Sequence, residues 1–338
     1  MLGGRRPGAA CITLAAALLA SAGPAWPGAG PVFASAPAKV APGVWWIPGG
    51  IRPNRQPDGN SVAFDAPQGF VVVDTGRHAW HRESILALAR EQERPIVAVV
   101  NTHWHLDHVS GNPAVRREYP GLRVYASSAI DGALADFFPA SAKESAQYVD
   151  DPEVPAEMRE DIRGDLQSIE DGKALRPDVV IEKSGTVTLG GRSFTVNLAR
   201  NAATAGDVWL YDADARVAVL GDLVTLPAPF MDTACPRGWQ AALDEIAQAP
   251  FVTAIPGHGS PMSPQQFNSY RTAFAAFVEC AGSTRAAGAC ASEWTGAVRP
   301  LLGEDPAQAE RARGMASYYT EMLRANGGRS KYCAAGAR

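Results

Sequence analysis

Apolar residues in this chain gather in short runs of strand length, separated by stretches where they recur every three or four positions. Val- and Ile-rich runs bounded by Gly, Pro or Asp predict strands at 44–47, 61–65, 70–74, 96–101, 122–126, 186–189, 193–198, 208–211, 217–220 and 252–255. Helical spacing is clearest at 83–92, 239–248, 264–278 and 306–325. The third helix has a capped start, with Ser263 and Pro264 followed by Gln265 and Gln266. Strands alternating with helices predict a layered α/β protein. No repeat with a recognisable motif and no coiled-coil heptad run interrupts this pattern.

The N-terminus departs from it. Arg5 and Arg6 precede a nearly unbroken apolar run at 9–20, and Ala20-Ser21-Ala22 offers a cleavage site, which is the three-part layout of a secretory signal. The run is shorter than the roughly 20 apolar residues of a membrane span. Residues 1–22 are therefore expected to be a signal peptide, with no stable membrane insertion after its removal and a periplasmic or secreted destination. Residues 23–43, rich in Gly, Pro and Ala, are expected to form a flexible lead. Cys11 lies in the signal. The remaining Cys235, Cys280, Cys290 and Cys333 are an even set compatible with two disulfides in an oxidising compartment. Of the three possible pairings, 280–290 with 235–333 is preferred, because Cys280 and Cys290 bracket a Gly/Ala-rich turn. No C-x-x-C spacing supports a zinc tetrad among them.

With 338 residues, 46% of them hydrophobic, the chain can bury a full core. Its 31 Lys and Arg against 35 Asp and Glu give a formal charge of −4, the wrong balance for a nucleic-acid binder. Acids concentrate at 144–172, which carries ten of them and only Arg159 and Arg163 as bases. That segment is expected to be a solvated helical insertion, the alternative being an acidic lid or partner surface. Residues 281–338 read as a helical C-terminal extension beyond a main domain at 44–280.

Chemistry is concentrated at 101–108, Asn-Thr-His-Trp-His-Leu-Asp-His, directly after the strand at 96–101. His103, His105 and Asp107 alternate with Trp104 and Leu106, so a nearly extended loop aims them one way while His108 points elsewhere. Imidazoles and a carboxylate at this density are the ligands expected for zinc, with iron or manganese less expected. No Walker loop or G-x-G-x-x-G fingerprint is present, so no nucleotide cofactor is implied.

The motif resembles the signature of the metallo-β-lactamase-fold hydrolases, and further elements follow that resemblance in order. Val71-Val72-Val73-Asp74-Thr75-Gly76 resembles the family's D-T-G strand, Thr204-Ala205-Gly206-Asp207 the tail of its H-T-x-G-D element, Leu220-Gly221-Asp222 its G-D strand, and Pro256-Gly257-His258-Gly259 its final P-G-H-G. The resemblance implies a four-layer αββα sandwich with metal at one edge between two sheets. It also implies a metal set of His103, His105, Asp107, His108, Asp222 and His258, with Asp222 shared between two positions.

One residue departs from the pattern. Where the family's third element begins with histidine, this chain has Ala203, and no histidine lies nearby. One position then keeps only His103, His105 and a share of Asp222, although Asn201 could contribute a weak oxygen ligand. The other, Asp107, His108 and His258 with Asp222, is complete. The expectation is one tightly bound zinc with a second weak or absent. A single Zn²⁺ with two carboxylates is formally neutral and activates water less than an all-imidazole site would. His103 or His105, released from full ligation, could then act as base beside Asp107.

The implied reaction is hydrolysis of a small-molecule ester, thioester, lactone or lactam carbonyl by a metal-bound hydroxide. Asp222, in place of the Cys or Ser of true β-lactamases, resembles the glyoxalase-II and lactonase branches. The alternative is a metal-binding member of the same fold that has lost turnover. Residues 53–60 are expected to form a mobile loop over the substrate, with Arg55 solvated or pairing with a substrate carboxylate. The segment 227–231 is expected to form another wall. His78 and His81 read as ordinary loop or helix-start residues.

Overall fold

The computed structural model describes residues 36–333, so the expected signal peptide lies outside the described residues. Strands β1 (Ala38–Ala41), β2 (Val44–Ile47), β3 (Ser61–Ala66), β4 (Gly69–Val73), β5 (Ile96–Val100), β6 (Arg123–Ala126) and β7 (Val179–Val180) form one sheet in that spatial order. The first four strands are antiparallel and β4 to β7 are parallel. A second sheet has the order β12-β11-β10-β9-β8, built from β8 (Gly185–Leu189), β9 (Arg192–Arg200), β10 (Gly206–Asp212), β11 (Val217–Thr225) and β12 (Thr253–His258). Only β11 and β12 are parallel there. The lead expected at 23–43 thus ends in an edge strand rather than in free chain.

Alternation along the strands decides what each face covers. Val62, Phe64, Val71 and Val73 turn inward and meet Phe194, Val196, Val208, Leu210, Val217 and Val219 of the second sheet. Their neighbours Ala63, Phe70 and Val72 turn outward to helix α1 (Ala79–Glu91), where Ile85, Leu88 and Ala89 cover them. Short helices α2 (Leu106–Val109) and α3 (Asn112–Glu118) follow β5. Helices α4 (Ala129–Gly132), α5 (Phe138–Ser145) and α6 (Ala156–Glu170) fill the crossover between β6 and β7.

On the far side, Trp209, Ala218 and Leu220 are covered by α7 (Pro236–Ile246) and α8 (Pro264–Ala281). Ser263 caps α8 through a reciprocal pair of hydrogen bonds with Gln266. Trp294, Ala312, Ala316, Tyr319 and Leu323 of α9 (Ala287–Val298) and α10 (Pro306–Ala325) are buried in the same cluster. The helices beyond 281 are therefore part of this core rather than an appendage. The αββα layering is as expected. Among the described residues Cys235–Cys333 and Cys280–Cys290 form disulfides, and the first ties Cys333, beyond α10, to the start of α7.

Candidate metal centre

The parallel strands bring the polar motif residues to one edge of the sandwich. His103 and His105 leave the end of β5, and Asp107 and His108 sit in the first turn of α2. Asp222 lies within β11 and His258 ends β12. His258 Nε2 is 3.0 Å from Asp107 Oδ2 and 3.5 Å from Asp222 Oδ1. His108 Nε2 is 3.2 Å from Asp222 Oδ1 and 3.7 Å from Asp107 Oδ2. His103 Nε2 and His105 Nδ1 lie 3.6 and 3.8 Å from Asp222 Oδ2. Two glycines permit this closeness. A Cβ at Gly59 would fall 2.3 Å from the His108 ring, and one at Gly257 would fall 2.0 Å from Asp222 Oδ1.

A second layer fixes which nitrogen of each ring faces the centre. A carboxylate only accepts, so His108 Nδ1–H donates to Asp74 Oδ2 at 2.8 Å and Nε2 keeps its lone pair. Thr102 donates its hydroxyl to Asp74 Oδ2, which leaves Thr102 Oγ1 to accept from His103 Nδ1–H at 3.0 Å. Thr233 Oγ1 donates to Ala203 O at 2.8 Å, so it accepts from His105 Nε2–H at 3.1 Å and leaves Nδ1 bare. Asp74 holds its place with φ of +57° while fully buried, a strained conformation typical of functional positions.

The result is an arrangement that a cation completes. His103 Nε2, His108 Nε2 and Asp222 Oδ1 are buried with no hydrogen-bond partner, although lone pair faces lone pair across about 3 Å. Asp107, His108 and His258 can offer ligand atoms within 4.8 Å of one another, and so can His103, His108 and Asp222. The electrostatics agree. Burial opposes charge on His108 and His258, yet the surrounding carboxylates, Asp222 foremost, outweigh it and raise both imidazoles. Burial likewise opposes ionisation of Asp107 and Asp222, but His108 and His258 foremost drive both carboxyls down. This opposed pull of imidazoles and carboxylates is what a divalent ion in their midst would relieve.

A cavity of ≈ 630 Å³ opens above this edge, with His105, Asp107, Asp222 and His258 on its floor. His103 and His108 do not line it. Trp104, Phe138, Phe230, Met158, Ile162 and Met315 supply apolar wall. Of the segment at 227–231, Pro227, Ala228 and Phe230 line the cavity, while Met231 is fully buried.

The acidic segment departs from the solvated reading. Met158, Asp161, Ile162 and Asp165 share one face of α6, and that face closes over the cavity while Glu157 and Glu160 stay exposed. Arg77 pairs with Asp165 and reaches to 3.8 Å from Asp107 Oδ1. His78 sits between Asp58 at 2.8 Å and Asp161 at 3.1 Å, stacked on Trp80. Burial opposes its charge, but the two carboxylates prevail and raise its pKa. Arg55 is neither solvated nor free, since it pairs with Asp161 and Glu160. The loop at 53–60 is tied down as well: Asn60 donates to Pro256 O and Gly259 O, and Gln56 N donates to Asp161. His81 is buried against Ser61. Asn201 occupies a left-handed turn and does not line the cavity.

Fold and edge geometry define a class, and the family model of the metallo-beta-lactamase superfamily matches residues 55–258. The chain belongs to that superfamily. Among curated relatives, it is 27% identical over 228 residues to a linear primary-alkylsulfatase of Pseudomonas sp., covering 60% of this chain and 42% of that protein. A hydroxyacylglutathione hydrolase of Thermosynechococcus vestitus is 39% identical over 54 residues, covering 16% of this chain and 21% of that protein. The chain thus spans less than half the length of the curated relatives it matches. The stereoselective inverting sec-alkylsulfatase Pisa1 from Pseudomonas sp. superposes with a TM-score of 0.57 at 16% identity, over 86% of this chain and 50% of that one. A metallo-beta-lactamase from Pontibacter korlensis gives 0.50 at 21% identity, over 70% of this chain and 95% of that one. These structural likenesses show the fold.

Proposed function

We propose that this chain is an exported metal-dependent hydrolase acting on the ester, thioester, lactone or lactam bond of a small molecule, with zinc at Asp107, His108, His258 and Asp222. The observation that carries the reading is the set of buried, partnerless ligand atoms on His103, His108 and Asp222, directly beneath a roomy cavity whose floor carries Asp222 with Asp107 and His258. A divalent ion there would supply Lewis-acid activation of water and of the scissile bond. Asp74, Thr102 and Thr233 orient the imidazoles around it. His105 lines the cavity, unlike His103, and its Nε2 is held by Thr233, which supports Nδ1 as the base that takes a proton from water. The aromatic wall and Met158 and Ile162 of α6 give the cavity apolar surface. Export is supported by the N-terminal pattern and by the two disulfides.

A sulfate ester on an apolar chain is a second substrate class, favoured by the apolar walls and by the alkylsulfatase relative. The test is a panel of p-nitrophenyl and alkyl esters, a thioester, a lactone, a lactam and an alkyl sulfate, assayed with and without chelator. Chelator-sensitive turnover of one class supports the proposal. Metal binding without turnover of any class would instead mark a member that has lost activity.

A further inference from the structure

The cavity contains a cation that the hydrolytic reading leaves unused. Arg311 lies on α10, beyond the segment matched to the family, and lines the cavity wall rather than its floor. Its side chain is partly buried. Among the described residues it has neither a hydrogen bond nor an ion pair. Arg77, the other guanidinium on the cavity, is neutralised by Asp165. Glu144, Asp232 and Glu310 line the same space, but none lies within ion-pairing distance of Arg311. Asp232 accepts from the Tyr319 hydroxyl at 3.0 Å.

A guanidinium that lines the cavity without an ion pair keeps donor sites open to an anion, and its planar fork matches a carboxylate or sulfate. Burial depresses its pKa, and the one carboxylate acting against that is Asp305, the cap of its own helix. The same cavity carries apolar wall from Trp104, Phe138, Phe230 and Met315.

We infer that Arg311 reads an anionic group on the substrate, so that the cavity selects a molecule with an apolar body, a hydrolysable bond and a separate monoanion. This rests on the cavity being the active site, and it makes Arg311 a specificity residue rather than a catalytic one.

The test is equilibrium binding, independent of turnover. Octanoate and its neutral counterpart octanamide are titrated by calorimetry into the metal-loaded wild type, Arg311→Gln and Arg311→Lys. Octanoate should bind the wild type at least ~10-fold more tightly than Arg311→Gln, with Arg311→Lys between them, as expected for loss of charge-assisted hydrogen bonds. Octanamide should bind all three alike. Equal octanoate affinity in wild type and Arg311→Gln would overturn the inference, as would parallel loss of both ligands or failure of octanoate to bind the wild type. A silent substrate panel alongside selective octanoate binding would count against hydrolysis and leave the anion site standing.

Discussion

The two halves of the candidate centre are built differently. On one side, Asp107, His108 and His258 converge with Asp222, and their mutual distances of 3.0 to 3.7 Å leave a compact ligand set. On the other, His103 and His105 stand 3.6 and 3.8 Å from Asp222, and the expected third imidazole is replaced by Ala203. What fills that half is a hydroxyl: Thr233 bonds both the Ala203 carbonyl and the outer nitrogen of His105. The comparison teaches that losing one ligand need not collapse a site. The orienting layer around His105 persists, so the imidazole is held in place, as the proposed proton-transfer role requires.

The largest effect that would test this contrast comes from the compact half. Asp107→Ala and His258→Ala should each lower turnover by more than ~100-fold, beyond the 10–100-fold usual for loss of an orienting partner. The check is kcat/KM on whichever substrate of the panel responds to chelator. A smaller effect is expected in the other half. Thr233→Val removes the acceptor that fixes His105 and should cost about 10-fold in kcat with little change in KM. An equal loss in both halves would erase the distinction between them.

The smallest effect lies in the cover over both halves. His78 is raised by Asp58 and Asp161, so its contribution is fully present below the ordinary imidazole value and fades as pH rises through its elevated one. Asp58, lowered to about 2, contributes above its ordinary value near 4 and loses that only in strong acid. Hydrogen exchange of residues 156–170 should therefore be slowest at mildly acidic pH, after correction for intrinsic rates, and quicken a few-fold toward alkaline pH. Asp161→Asn should flatten that dependence. A flat profile in the wild type would mean that His78 does not clasp α6.

Legibility in the sequence followed chain proximity. Four ligand-type residues within 103–108 announce themselves, and Asp222 and His258 each follow an apolar run of strand length. Thr233 carries no such sign, because an isolated threonine 128 residues from His105 gains meaning only when α7 brings the preceding loop home. Asp161 and Asp165 were visible as acids, yet composition could not tell them from Glu157 and Glu160. Helical spacing with Met158 and Ile162 is the signal that separates the cavity-side pair from the exposed one. Nothing local in the sequence marks the pairing of Arg55, whose partners lie 105 and 106 residues away. Edge strand β1, made of Ala-Lys-Val-Ala, lacks the branched apolar run that marks the others.

The central claim, that the compact half holds one tight metal while the His103/His105 half does not, is tested most directly by elemental analysis. Metal per chain is measured for the wild type, His105→Ala and His258→Ala after exhaustive dialysis. About one zinc per chain in the wild type, the same in His105→Ala and almost none in His258→Ala is the predicted result. Two metals in the wild type, or a full complement in His258→Ala, would contradict it.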